Sequence, residues 1–323
     1  MTPQGVPSSA RVPHGATAQR PHWSDLPQDV RSLVEARLGQ AVLTGHSQGG
    51  GFTDGFASRL ELADRSGVFV KAVSSVTSPI VHAAYLQEAR ISQALPAAVP
   101  APDLLWWVES GSWVVLAFAE IPGRCPSRPW RPDELAAVLA ILPGMAAALT
   151  PAPVGMGRLP TTRDLDGDFS FWRQAAAGSV DVDVRPAWWS QRESLVALES
   201  EWAALAAGAT ASHFDLRDDN LLLTPDGQVL VCDWNWLTLA APWVDLVSLL
   251  ISAHGDGLDA DAILGEHLHR AVPARAVNAF LAALGGYFLQ RAAQPPLPHS
   301  PWLRVGQAWW RDATMSWLMV RLG

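Results

Sequence analysis

Lysine is nearly missing from this chain: of 23 basic residues only Lys71 is a lysine, and the other 22 are arginines. The bias toward Ala, Gly, Pro and Arg is that of a GC-rich coding sequence, which favours Arg codons. A surviving lysine therefore marks a position where a planar guanidinium would not serve. Cysteine is also scarce. Cys125 and Cys232 are too far apart in sequence for a metal or redox motif, which excludes a disulfide scaffold. Positive charge is not in surplus: the net charge of −8 argues against nonspecific nucleic-acid binding. No apolar run reaches membrane-spanning length, because Leu135 to Leu149 is broken by Pro143-Gly144. Residues 1–22 lack an apolar core and are rich in Pro, Ser and Arg, so they are expected to form a disordered leader rather than a signal peptide. The expected location is cytoplasmic, with neither nucleic acid nor membrane as partner. A chain of 323 residues exceeds the usual size of one core, so two lobes are expected.

The most informative stretch is His213 to Asp233, HFDLRDDNLLLTPDGQVLVCD. Phosphoryl transfer from a nucleotide needs a carboxylate to take the proton of the attacking hydroxyl. It also needs oxygen ligands for Mg²⁺. Asp215 suits the first task, and Asn220 and Asp233 the second. Leu221 to Leu223 and Val229 to Cys232 flank the turn Thr224-Pro225-Asp226-Gly227, a hairpin signal. Such a hairpin folds Asn220 back beside Asp233. His213 could act as a base, but two residues before the acid it is expected to organise the loop by hydrogen bonding.

HFDLRDDN followed by Cys232-Asp233-Trp234 resembles the catalytic and metal-binding motifs of the aminoglycoside phosphotransferase and choline kinase-like family, distant relatives of protein kinases. Phe214 stands where the family usually carries Gly, Arg217 lies where His or Lys is common, and Asp233 is followed by Trp-Asn rather than Phe-Gly. The run Val68-Phe69-Val70-Lys71-Ala72-Val73 resembles the family's V-A-I-K strand, and Glu88 lies seventeen residues after Lys71 in a helical stretch. The resemblance implies a Lys71–Glu88 pair that directs the lysine at α/β-phosphates. It further implies ATP (or GTP) with Mg²⁺ as cofactors, an adenine edge read by the backbone of Ala119 and Ile121, and an Asp245 that buttresses the catalytic loop. The fold implied is α+β and protein kinase-like, with a small N-terminal β-sheet lobe bearing one major helix, residues 23–120, and a larger, mainly helical C-terminal lobe, residues 121–323. The partner implied is a small-molecule hydroxyl acceptor, and the protein is expected as a monomer or homodimer.

Gly45-His46-Ser47-Gln48-Gly49-Gly50-Gly51 has two readings. It matches the G-x-S-x-G nucleophile elbow of hydrolases. An elbow requires a helix after the serine, however, and Gly49 to Gly55 is a poor helix former. It also requires several preceding βα units, where only one helix, near 28–38, precedes residue 45. The better reading is a hairpin between strands near 40–45 and 56–62, with Ser47, Gly49 and Gly50 in a tip that covers nucleotide phosphates.

Further strands are expected near 67–73, 103–109 and 112–119. Helices are expected near 79–94, 132–149, 169–177, 188–206, 242–254, 258–270, 275–291 and 301–322, with the interlobe hinge at Ala119 to Arg124. Residues 211–266 carry ten acidic residues against one arginine, a net of −9. Part of this suits Mg²⁺. Asp256, Asp259, Asp261 and Glu266 either attract a cationic acceptor such as an aminoglycoside or form a solvated helix face. Sixteen tryptophans are expected mostly in packing. Glu266 with His267 and His269 forms no metal site, since helix positions i and i+2 face apart. Within the family pattern the acceptor stays open among antibiotic, amino alcohol, sugar and amino acid. A nucleotide-binding protein that keeps the fold without turnover is the alternative.

Overall fold

A computed structural model describes residues 6–181, 183–268 and 272–323. Helix α1 (Gln28–Leu38) is followed by strands β1 (Val42–Ser47), β2 (Phe56–Leu62) and β3 (Gly67–Ser74), then helix α2 (Pro79–Ala94) and strands β4 (Leu104–Ser110) and β5 (Trp113–Ala119). The five strands make one antiparallel sheet in the order β1-β2-β3-β5-β4. Alternation along a strand sends successive side chains to opposite faces. Val68, Val70 and Ala72 of β3 pack with Val30 and Val34 of α1, while Val73 packs with Tyr85 and Ala89 of α2. Lys71 shares the α2 face by the same parity, which is what brings it to Glu88. The first strand lies two residues later than its pattern suggested.

The second lobe contains α3 (Pro132–Ala148), α4 (Phe171–Ala176), α5 (Pro186–Trp189), α6 (Arg192–Leu205), β6 (Thr210–Ser212), β7 (Leu221–Leu223), β8 (Val229–Val231), β9 (Thr238–Ala240), α7 (Val244–Gly255), α8 (Ala260–His267), α9 (Ala274–Ala292) and α10 (Leu303–Leu322). This is the expected two-lobed α+β architecture. Every residue of α7 is buried, and α6, α9 and α10 pack around the same core. The helix expected at 188–206 is two helices, α5 and α6. The end of the helix expected at 258–270, with His269, lies outside the described residues. Pairing of β6 with β9 and of β7 with β8 frames the stretch between His213 and Asp233.

The leader expected to be disordered has a defined course over residues 6–22. Trp309 Nε1 donates to Pro7 O (2.8 Å), Arg128 Nη1 to Val12 O (2.9 Å) and the Gln19 amide to His299 O (2.8 Å). Polar backbone contacts of this kind leave no apolar periodicity to read. Trp172, Trp202, Trp234 and Trp317 are fully buried, as packing requires. Among the described residues no helix is long and apolar enough to cross a membrane.

One buried carboxylate joins two elements of the helical lobe. Glu199 of α6 accepts from the amides of Trp172 (2.8 Å) and Arg173 (2.9 Å), which belong to the first turn of α4, where helical N–H groups lack partners. It also accepts from Arg173 Nε (3.2 Å). Glu199→Ala is expected to cost about 2–3 kcal/mol, because it leaves two helix amides unpaired, although Arg173 keeps its pair with Asp166. A urea midpoint equal to wild type would contradict this.

Candidate active site

Lys71 Nζ lies 2.7 and 2.8 Å from the two carboxylate oxygens of Glu88 and 2.7 Å from Asp233 Oδ1. One ammonium thus joins β3, α2 and the segment after β8. Burial disfavours its charge, but Asp233 and Glu88 outweigh that and hold the amine protonated above its ordinary range. Burial likewise opposes the Asp233 carboxylate, and Lys71 overcomes it, leaving Asp233 below the usual carboxylate range.

The β7–β8 hairpin places its two ends as its sequence requires. Leu221 pairs with Val231 across it, Gly227 takes the left-handed φ of +84° at the turn, and the Cys232 amide donates to Asn220 O (2.8 Å). Asn220 is thereby held against the residue preceding Asp233. Its side-chain nitrogen donates to Asp215 O (2.8 Å) and Asp215 Oδ2 (3.1 Å), which leaves the amide oxygen to face elsewhere. Asp215, Asn220, Asp233, Lys71 and Glu88 form one connected constellation.

The backbone at His213 and Phe214 is set by Asp245 at the start of α7. Its two oxygens accept from the amides of His213 and Phe214, both at 2.9 Å. Phe214 has φ +65°, which explains why glycine suits this position; for a side chain with a Cβ the left-handed conformation costs about 1–2 kcal/mol. The ring offsets part of this by packing on Phe169 and Phe280. His213 is fully buried, its Nε2 lies 2.9 Å from Cys232 O, and its ring meets Trp234 edge-on. With no path to solvent it suits loop organisation, not proton exchange with a substrate. Asp233 also has a left-handed φ, +67°.

Arg217 has partners that its sequence context does not show. Its guanidinium is 3.2 Å from Asp215 Oδ2 and 3.1 Å from Asp219 Oδ1, and it lies against the rings of Phe52 and Trp310. Burial raises the Asp215 pKa while Arg217 pulls it back. A carboxylate moved upward is a better proton acceptor. Beside it, Phe169 touches Phe214 and stacks on Tyr287 at 5.0 Å, forming an aromatic wall.

The Gly-rich segment departs from expectation in detail. Ser47 is the last residue of β1, not part of the tip, and its hydroxyl donates to Pro21 O (3.0 Å). A loop follows it instead of a helix, so the hydrolase elbow is excluded. Gly49 and Gly50 do lie in the loop between β1 and β2, but their carbonyls accept from the N-terminal segment. A Cβ on Gly49 would run into Gly15 O. The Ala119 amide donates to Asp103 O (2.9 Å), so this residue could meet an adenine only through its carbonyl; Ile121 lies two residues on, half-buried in the hinge. Arg124 exchanges backbone hydrogen bonds with Leu223, stitching the hinge to the β7–β8 hairpin.

The acidic segment is tied into the fold at three points. Asp256 accepts from the Trp130 amide (2.9 Å), Asp259 caps α8 through the Ala262 amide (3.0 Å), and Asp261 pairs with Arg321 and Trp317. Structural bonds occupy all three, while Asp259 and Asp261, like Glu266, keep exposed surface. The high acidity of this stretch therefore says little about the acceptor.

Among the described residues no three His, Cys, Asp or Glu side chains gather as a closed metal cage. An Asn oxygen and a carboxylate, with phosphate oxygens to complete the shell, is instead a donor set that suits Mg²⁺.

This geometry is that of a kinase-like phosphotransferase. Residues 66–295 match the Phosphotransferase enzyme family, and the chain belongs to it. It is thus an ATP-dependent phosphotransferase that uses Mg²⁺ and acts on a hydroxyl of a small molecule. Solved structures share the fold at low identity. A thermostable mutant of aminoglycoside phosphotransferase APH(4)-Ia, in a ternary complex with ADP and hygromycin B, is 17% identical with a TM-score of 0.60, over 92% of this chain and 100% of that one. Choline kinase LicA from Streptococcus pneumoniae is 14% identical with a TM-score of 0.57, over 91% and 98%. Macrolide 2'-phosphotransferase MphH from Brachybacterium faecium is 18% identical with a TM-score of 0.54, over 89% and 97%. None of the curated proteins matches this chain.

Two outcomes test the site's architecture. Asp245→Ala leaves two amides of a tight turn unpaired and is expected to lower stability by about 2–4 kcal/mol and abolish turnover; an unchanged melting temperature would contradict it. A serine-reactive fluorophosphonate is expected to leave Ser47 unlabelled, read by intact-mass spectrometry.

Proposed function

We propose that Asp215 orients and deprotonates the acceptor hydroxyl, that Asn220 and Asp233 hold Mg²⁺, and that Lys71, aligned by Glu88, contacts the α/β-phosphates. The observation that carries this reading is the Lys71 ammonium shared between Glu88 and Asp233, next to an Asn220 bonded to Asp215. Bound ATP–Mg²⁺ supplies the phosphoryl group and the charge that neutralises its oxygens. His213 and Asp245 keep the loop in shape, the loop at Gly49 and Gly50 covers the phosphates, and the hinge backbone at Ala119 and Ile121 meets the adenine edge. Catalysis rests on positioning and fixed charge rather than on a covalent enzyme intermediate.

The acceptor is proposed to enter beside the aromatic wall of Phe169, Phe214 and Tyr287, which supports a molecule with an apolar or ring face adjoining its hydroxyl. A cationic aminoglycoside-like acceptor fits that wall through cation–π contact. The test is a panel of antibiotics, amino alcohols, sugars and amino acids, assayed for ATP consumption and for one added phosphate by mass spectrometry. With an acceptor in hand, Asp215→Asn is expected to lower kcat by about 10²–10⁴-fold while largely sparing the ATP dissociation constant. Full activity in that variant would refute the mechanism, and ATP binding without transfer to any acceptor would favour the silent alternative.

A further inference from the structure

The loop between β1 and β2 is not free-standing. The Thr17 and Ala18 amides donate to Gly49 O at 2.8 and 2.9 Å, and Thr17 Oγ1 donates to Gly51 O at 2.6 Å. Arg20 spreads its guanidinium over the same loop, with Nη2 on Gly50 O and Nη1 on Gly55 O, both at 2.9 Å. Three consecutive glycine carbonyls are thus turned toward the N-terminal segment. In a trans peptide the N–H of the next residue points opposite to the carbonyl. Fixing the carbonyls of Gly49, Gly50 and Gly51 therefore directs the amides of Gly50, Gly51 and Phe52 away from the segment. The side of the loop that faces Arg20 is therefore lined by carbonyls, and the positive charge on that side comes from Arg20.

Arg20 also adds charge. Its Nη1 lies 3.5 Å from the Tyr85 hydroxyl, and the Tyr85 ring lies 5.5 Å from Lys71 Nζ. The guanidinium therefore sits at the same end of the cleft as the Lys71–Glu88–Asp233 cluster, and its field reaches both carboxylates. Its partners are neutral oxygens; among the described residues no carboxylate lies within ion-pair distance of it. The segment is anchored beyond the loop by Ser300 Oγ on Thr17 O (3.2 Å) and by the Gln19 amide on His299 O. Arg20 lies outside residues 66–295, which match the family.

We propose that Arg20 is a nucleotide-binding residue: together with Thr17 it fixes the position of the glycine loop, and it supplies a second cation to the triphosphate. This rests on the nucleotide-site reading given above, but not on any identified acceptor. The test is direct titration of the full chain with ATP–Mg²⁺ by calorimetry, beside hydrogen exchange of the loop amides without nucleotide. Arg20→Ala is expected to weaken ATP–Mg²⁺ binding at least tenfold and to speed exchange at 48–55, with the unfolding midpoint nearly unchanged. Arg20→Lys keeps the charge and loses the fork, so its loss is expected to be smaller. Thr17→Val keeps the charge and loses one staple, and it is expected to speed exchange with a weaker effect on binding. Equal or tighter ATP binding by Arg20→Ala overturns the proposal, tighter binding meaning that the segment masks the site. If the wild-type chain itself does not bind ATP–Mg²⁺, the nucleotide-site reading fails first.

Discussion

The fold turns on one buried ammonium. Lys71 has no apolar role on its face of the sheet, and removing its charge from water is expensive unless oppositely charged groups surround it. Glu88 supplies one such group from α2 within the same lobe. Asp233 supplies the other from the second lobe. The cleft is therefore closed electrostatically at its centre, and the two lobes share a contact that neither could satisfy alone. A lysine suits this place because three donors on a compact charge can serve two carboxylates that approach from different elements.

Around that centre the helical lobe accepts local strain in order to present polar groups. Phe214 and Asp233 both carry left-handed backbone at positions where side chains resist it. The turn at Phe214 persists because Asp245 accepts both of its amides and because its ring is caught between Phe169 and Phe280. Strain of this kind is maintained only where neighbours over-determine the conformation. Asp245 in turn projects from a helix buried along its whole length, so the loop's geometry is referred to the most rigid part of the core.

The front of the cleft is organised differently, by main-chain bonds from residues that precede the first helix. Phe52, at the tip of the glycine loop, reaches Arg217 in the catalytic loop, and Arg217 reaches Trp310 in α10. The N-terminal segment runs beside this column and contacts both lobes. Loop position is thus fixed by many weak, local bonds rather than by a core, which is the arrangement expected where a segment must let a ligand in and out.

Much of this was legible in the chain itself. Apolar runs broken by turn residues indicated strands, and the isolated Lys71 and the spacing of Asp215, Asn220 and Asp233 marked the site, since these depend on residue type and short-range geometry. The Pro-Asp-Gly turn predicted the convergence of Asn220 with Cys232-Asp233 for the same reason. Other features were decided only in three dimensions. Asp256 and Asp261 gave no sign in sequence of their partners Trp130 and Arg321, which come from elsewhere in the chain, whereas Asp259 caps its own helix through Ala262. Ser47 looked like a phosphate or nucleophile residue until Pro21 took its hydroxyl. Arg20 and Arg217 carried no signal among 22 arginines, and residues 6–22 looked disordered because their order comes from backbone hydrogen bonds to distant carbonyls. Sequence pattern records which side chains prefer water, oil or a charge; which partner a polar group finds is settled by contacts across hundreds of residues, and those exist only in the folded chain.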